Sequence, residues 1–233
     1  MINIIDIVES VLKGWDNVTE FIYNTQDEEN NYHFKPEYLI TVKVAESILL
    51  YFYKNRLLDQ YSILLEEKTS KAMTRREEEV LDYHKSGVPK KYRARKESER
   101  KGRFDIVIYK KDNHYTLDSY RTICVIEIKN YYGNFNKIKK DITRINEFKD
   151  SSIISNSFEF GLMTFIIRPE KKYWERLYER EEIIIDKYIE NIMQKLDLKD
   201  KWKIHTEIIS KRYSDPEYPK LQYLYIVVVI TIV

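Results

Sequence analysis

Two short apolar runs constrain this chain more than anything else in it: residues 104–109 read FDIVIY and residues 121–129 read RTICVIEIK, with the turn-like KKDNHYTLDSY between them. Runs of this length, rich in Ile and Val and bounded by polar turn residues, predict two strands that pair with each other. Each carries charge inside otherwise apolar sequence, where a carboxylate is costly unless something compensates it. Asp105 lies in the first run, and Glu127 and Lys129 lie in the second. At spacing two, Glu127 and Lys129 point to the same face of their strand. Gly133 and Asn134 close this unit. Ile138, Ile142 and Ile145 then set one apolar face on a helix over 135–149, and the nearly all-apolar FEFGLMTFII at 158–167 predicts a central strand.

The flanking sequence extends this pattern in both directions. Pro36 and Glu37 suit a first helical turn, and Tyr38, Val42, Ala45, Leu49 and Phe52 follow at steps of three and four, predicting a helix over 36–56. Residues 61–67 (YSILLEE) predict a short strand. Thr74 with Glu77 is a capping-box signature for a short helix over 75–86, stopped by Gly87 and Pro89. Downstream, Pro169 opens a helical region to about residue 198, the alternation in KWKIHTEIIS (201–210) predicts a half-buried strand, and the last ten residues predict a final one. Before residue 36 the chain offers a short amphipathic helix over 4–15 and a polar loop over 24–31. The chain therefore reads as a single domain over 1–233, with an N-terminal elaboration (1–35), a core (36–167) and a C-terminal helix and strand extension (168–233). Helices that follow strands in this way cover the faces of a mixed sheet, so the fold class is α/β, a three-layer α/β/α sandwich.

Composition excludes several classes of function. The lone cysteine, Cys124, leaves no disulfide framework, redox CxxC, zinc ribbon or four-cysteine iron–sulfur cluster. His33, His84, His114 and His205 show no HxH, HxxxH or HExxH spacing, and neither GxxxxGK[ST] nor GxGxxG is present. Forty Lys and Arg against 38 Asp and Glu leave a net charge of +2, so affinity for a polyanion must come from local clustering. The N-terminus carries acids in place of a basic leader, and the apolar run from Leu224 to Val233 is about half a bilayer span. Cytoplasmic residence and no membrane association are the expectation.

Asp105, Glu127 and Lys129, brought together at the ends of adjacent strands, make a hard-oxygen cation site with a proton-transfer group beside it. Mg2+ suits such a site best, because it takes one or two carboxylates and fills its remaining positions with water and phosphate oxygens. Asp105 followed by Glu127-Ile128-Lys129 resembles the signature of the PD-(D/E)XK nuclease superfamily, the restriction-endonuclease-like fold. The resemblance covers about residues 36–167, where the order of elements matches the family's αβββαβ core. Phe104 stands where the family's name has proline.

The resemblance implies that Asp105 and Glu127 ligate Mg2+, with Mn2+ able to substitute, and that the carbonyl of Ile128 is a third ligand. It implies that Lys129 positions or activates the attacking water. A glutamate of the first core helix often lies near the metal, and Glu46, among Val42, Leu49 and Leu50, fits that place. Lys129, held close to carboxylates, is expected to stay charged. For the substrate, the arm PKKYRARKESERKGR (89–103) concentrates Lys90, Lys91, Arg93, Arg95, Lys96, Arg100, Lys101 and Arg103 directly ahead of Asp105. Tyr92 could stack on a base. Lys140 and Arg144, on the polar stripe of the helix after the motif, are further candidates for phosphate; a solvated charged surface is the plainer reading of both sets.

The expected activity is hydrolysis of phosphodiester bonds in DNA, more than RNA, by a metal-dependent endonuclease of restriction or phage-defence type. The alternative is a catalytically idle nucleic-acid-binding or assembly module on the same fold. Two-fold symmetric duplexes invite a homodimer. A protein partner or small-molecule activator is also compatible with this family.

Overall fold

The β-branched runs form strands because their side chains pack well on a pleated surface buried on both sides. In the computed structural model, residues 2–24, 36–68, 72, 102–111, 120–129, 135–150, 158–167, 190, 194, 203–212 and 221–233 are described. They form α1 (Ile4–Asn24), α2 (Pro36–Lys54), β1 (Tyr61–Lys68), β2 (Arg103–Lys111), β3 (Tyr120–Lys129), α3 (Phe135–Asp150), β4 (Phe160–Ile167), β5 (Lys203–Arg212) and β6 (Leu221–Ile232). The chain is mixed α/β, with one six-stranded mixed sheet in the order β1-β2-β3-β4-β6-β5. Every neighbouring pair is antiparallel except β3 and β4, which run parallel and are joined through α3. A parallel pair needs such a crossover, whereas β1, β2 and β3 form an antiparallel meander. The predicted helix over 75–86, the arm over 89–101 and the helical region after Pro169 lie outside the described residues, apart from Glu190 and Gln194, which are helical.

Strand alternation sends residues to two separate apolar clusters. Ile106, Ile108, Ile126 and Ile128 join α1 and α2 in one cluster. Val107, Tyr109, Val125 and Met163 join Ile138, Ile142, Ile145 and Phe148 of α3 in the other. Every residue of β4 is buried, as expected of a central strand.

The N-terminal helix is longer than its sequence pattern suggested, running to Asn24 where an end near residue 15 was expected. Gly14, which reads as a weak point in a helix, is instead a contact surface. A Cβ built there would lie 2.5 Å from the Cα of Val44 on α2. Ile7, Val11, Trp15 and Val18 are buried along the same face, and the Trp15 indole donates a hydrogen bond to Thr164 Oγ1 on β4 at 2.8 Å. Buried apolar contact of this kind, rather than propensity, is what carries a helix past a glycine. Gly14→Ala is therefore expected to destabilise the protein despite the ~1 kcal/mol gain in helix propensity. Its methyl meets backbone, and overpacking of this sort costs about 1–3 kcal/mol; a lowered thermal midpoint checks this.

Candidate active site

The β2–β3 register sets the site. Ile106 pairs with Ile126 and Val107 with Val125, so continuing the ladder by one residue sets Asp105 across from Glu127. Directly opposed residues have Cβ atoms about 5 Å apart. The two carboxylates therefore share one face, at the end of β3 where the ladder opens. There the Ile128 N–H donates to Asp105 Oδ2 at 2.6 Å.

Glu127 is 1% exposed, and its carboxylate accepts a short hydrogen bond from Arg144 of α3. The Arg144 guanidinium also lies 3.0 Å from Asp141 Oδ1 and 5.5 Å from the centroid of the Phe104 ring. Lys129 is the second cation. Its Nζ donates to the Ile128 carbonyl at 3.0 Å and to Glu37 Oε1 at 3.2 Å, and it lies 3.4 Å from Asp141 Oδ2. Lys129 thereby links the first turn of α2 to α3 at the end of β3.

Burial governs the protonation of these groups. Asp105 is pushed up to about 6, first by desolvation; the Ile128 N–H and Lys129 oppose this, while the charges of Glu37 and Glu66 add to it. Glu127 is raised well above the ordinary glutamate range by burial and then by Asp105, and Arg144 does not cancel the effect. For Lys129, burial alone would lower the pKa. The carboxylates of Asp105, Asp141, Glu37 and Glu127 outweigh it and hold the ammonium above the usual lysine value. Lys129 is thus charged at neutral pH, as its sequence surroundings suggested.

Among the described residues, four carboxylates (Asp105, Glu127, Asp141, Glu37) face two cations (Lys129, Arg144). Burial makes Asp105 and Glu127 hold their protons more tightly than usual; with both ionised, two negative charges would stand unbalanced. A dication fits that deficit, and its hard-oxygen preference fits Asp105 and Glu127. No three His, Cys, Asp or Glu side chains among the described residues form a metal-holding group. An ion here would therefore rest on two carboxylates and complete its shell with water or substrate oxygen, as Mg2+ commonly does. The Ile128 carbonyl accepts from Lys129, and a carbonyl oxygen carries two lone pairs.

The other expected positions divide sharply. Glu46 does not look inward: its side chain is 53% exposed and pairs with Lys43 on the same helix at 2.8 Å. The acid that α2 brings to the cluster is Glu37. The apolar residues beside Glu46 misled because Leu49 and Leu50 are themselves exposed. Glu37, in the first turn where helices favour acids, is the position that chain geometry brings near the end of β3. Glu46→Ala is expected to change stability by less than about 0.5 kcal/mol, the scale of an exposed helical pair, as read by urea unfolding.

Arg144 faces Glu127, whereas Lys140 is exposed. Arg103 is exposed and lies 3.9 Å from Glu66. Lys90, Lys91, Arg93, Arg95, Lys96, Arg100 and Lys101, with Tyr92, lie outside the described residues. Glu66 itself was not anticipated. It sits in β1 between Leu65 and Glu67, which pair with Ile106 and Phe104 on either side of Asp105, and has a left-handed φ of 53° that few non-glycine residues adopt.

No helix among the described residues is long and apolar enough to cross a membrane. No protein-family model, curated protein or solved structure matches the chain.

Proposed function

We propose that this chain is a magnesium-dependent nuclease hydrolysing phosphodiester bonds of DNA, an endonuclease of restriction or phage-defence type built on a three-layer α/β/α restriction-endonuclease-like fold. The observation that supports this reading most is the juxtaposition at the end of β3, where Asp105 and Glu127 oppose each other across the β2–β3 ladder and a lysine is kept charged beside them. The order α2-β1-β2-β3-α3-β4, an antiparallel meander followed by a parallel crossover, supports it.

In this reading Asp105 and Glu127 hold the divalent ion, with the Ile128 carbonyl as a further ligand. When bound, the ion supplies charge neutralisation on the phosphate and a lowered pKa for a bound water. The remaining work belongs to the chain. Lys129 presents a fixed positive charge that orients a water or hydroxide and offsets phosphate charge, and its ammonium is no general base because its pKa is raised. Glu37 and Asp141 fix the direction of that ammonium from two helices. The Ile128 N–H holds Asp105 at a set angle, which keeps the inner carboxylate pair organised before substrate arrives. The basic arm ahead of Asp105 tracks the phosphate backbone, and DNA is favoured over RNA. A homodimer on a two-fold duplex, a protein partner or activator, and action in the cytoplasm belong to the same proposal.

One observation favours a second reading, a catalytically idle nucleic-acid-binding or assembly module: Glu127 already has an internal counter-ion in Arg144. A single assay separates the two. Supercoiled plasmid, linear duplex, single-stranded DNA and RNA are incubated with Mn2+ and either the wild type or Glu127→Ala. Cleavage by the wild type alone supports the nuclease. If both proteins leave every substrate intact yet retard DNA on a gel, the binding module is the correct reading.

A further inference from the structure

Arg144 is held in an unusual seat. Its side chain is 21% exposed and reaches the buried carboxylate of Glu127, and the same guanidinium rests on Asp141 and over the Phe104 ring. Gly102 leaves room beside it, since a Cβ there would come 2.7 Å from Nη1. The fit is incomplete, because Nε is buried with no hydrogen-bond partner. A guanidinium serving only as a brace would be expected to satisfy its buried donors. Two of its anchors, Asp141 and Phe104, do not depend on Glu127, so it can give up the Glu127 oxygen without losing its place.

We infer that Arg144 is a positioning residue that neutralises Glu127 and yields that carboxylate to an incoming divalent ion while remaining on Asp141 and Phe104. This rests on the nuclease reading and adds a loading threshold to it. Guanidinium and dication repel each other and compete for one carboxylate oxygen. The resident arginine keeps the acids organised without an ion, and it raises the ion concentration needed to fill the site. In a charge-deficient pocket a purely structural arginine would do the opposite, since its loss would loosen Glu127 and weaken the ion's hold.

The test is isothermal titration of the metal-free full chain with Mn2+, comparing wild type, Arg144→Met and Gly102→Ala. Arg144→Met removes the competing charge and keeps the side chain's apolar bulk. Gly102→Ala keeps the charge but crowds Nη1, and because the obstructed atoms are the far end of a flexible side chain the backbone need not move. Both variants should bind Mn2+ about tenfold more tightly than wild type, the scale of one charge-assisted hydrogen bond no longer to be broken. Should Arg144→Met fail to fold, Gly102→Ala carries the test alone. Unchanged or weaker binding by the folded variants, with the wild type binding, overturns the inference and leaves the nuclease reading standing. If wild type and variants all fail to bind Mn2+, both fall together.

Discussion

Lys129→Met is expected to lower Mn2+-dependent DNA cleavage about a thousandfold while leaving Mn2+ binding intact. The position of the ammonium sets the size of the effect. Its Nζ is fixed by Glu37, Asp141 and the Ile128 carbonyl, and it is a ligand to nothing. Methionine keeps the length and apolar stem of lysine and removes only the charge and its three donors. Loss of one preorganised charged donor at the reacting centre costs about two to three orders of magnitude in rate. The ion's carboxylates lose a neighbouring positive charge, which favours a dication if anything. Single-turnover cleavage paired with Mn2+ titration reads both quantities. A variant that cuts at the wild-type rate would remove Lys129 from the mechanism, and one that loses Mn2+ binding would make it a structural strut.

The second large effect concerns pH and metal together. Asp105 titrates in the folded protein at about 6, against 3.8 without burial. A carboxyl whose folded pKa is raised holds its proton more tightly in the native state. It therefore destabilises the fold above pH 6, and the penalty is relieved as pH falls from about 6 towards 3.8. The full penalty is about 3 kcal/mol, of which about 1 kcal/mol is recovered by pH 5. Glu127, also raised, acts with the same sign. Lys129, raised above 10.5, contributes stability that is lost only above that value, so it is constant across this window. His205 opposes the trend, since burial and Lys203 lower its pKa and protonation favours the unfolded chain as pH falls through 6.5; a His205→Gln background removes it.

In that background the metal-free protein should melt about 3 °C higher at pH 5 than at pH 8. Mn2+ at about a hundred times its dissociation constant should raise stability at pH 8 by about 2.7 kcal/mol. At pH 5 its effect should be smaller, because protons and ion compete for the same oxygens. A melting temperature indifferent to Mn2+ at pH 8 would contradict the proposed site.

Much of this arrangement was legible in the residues. Period-two alternation fixed the common face of Glu127 and Lys129, and a short polar connection implied the antiparallel pairing that sets Asp105 across from Glu127. The isoleucines of α3 announced its buried face correctly, and Ile138, Ile142 and Ile145 are all buried. Helix orientation was harder to read. A 3.6-residue period gives an apolar stripe but not which end of the helix meets the strands, and the resemblance points to Glu46 where the acid of α2 that lies against Lys129 is Glu37. Arg144 and Asp141 flank that stripe instead of opposing it, and that signal could have turned Arg144 inward, towards Glu127 and away from solvent. The reach of α1 past residue 15 was hidden because tertiary packing carries it: Val18 is buried and Gly14 lies against Val44 of α2.

The position of β6 also bears on how the polypeptide matures. It follows β5 in the chain, yet it inserts between β4 and β5. Until β6 pairs, the outer edge of β4, buried along its whole length in the folded protein, is a bare apolar border. That border is a template for stray pairing with other chains. Pairing of β6 closes that border and gives β5 its partner in the same event.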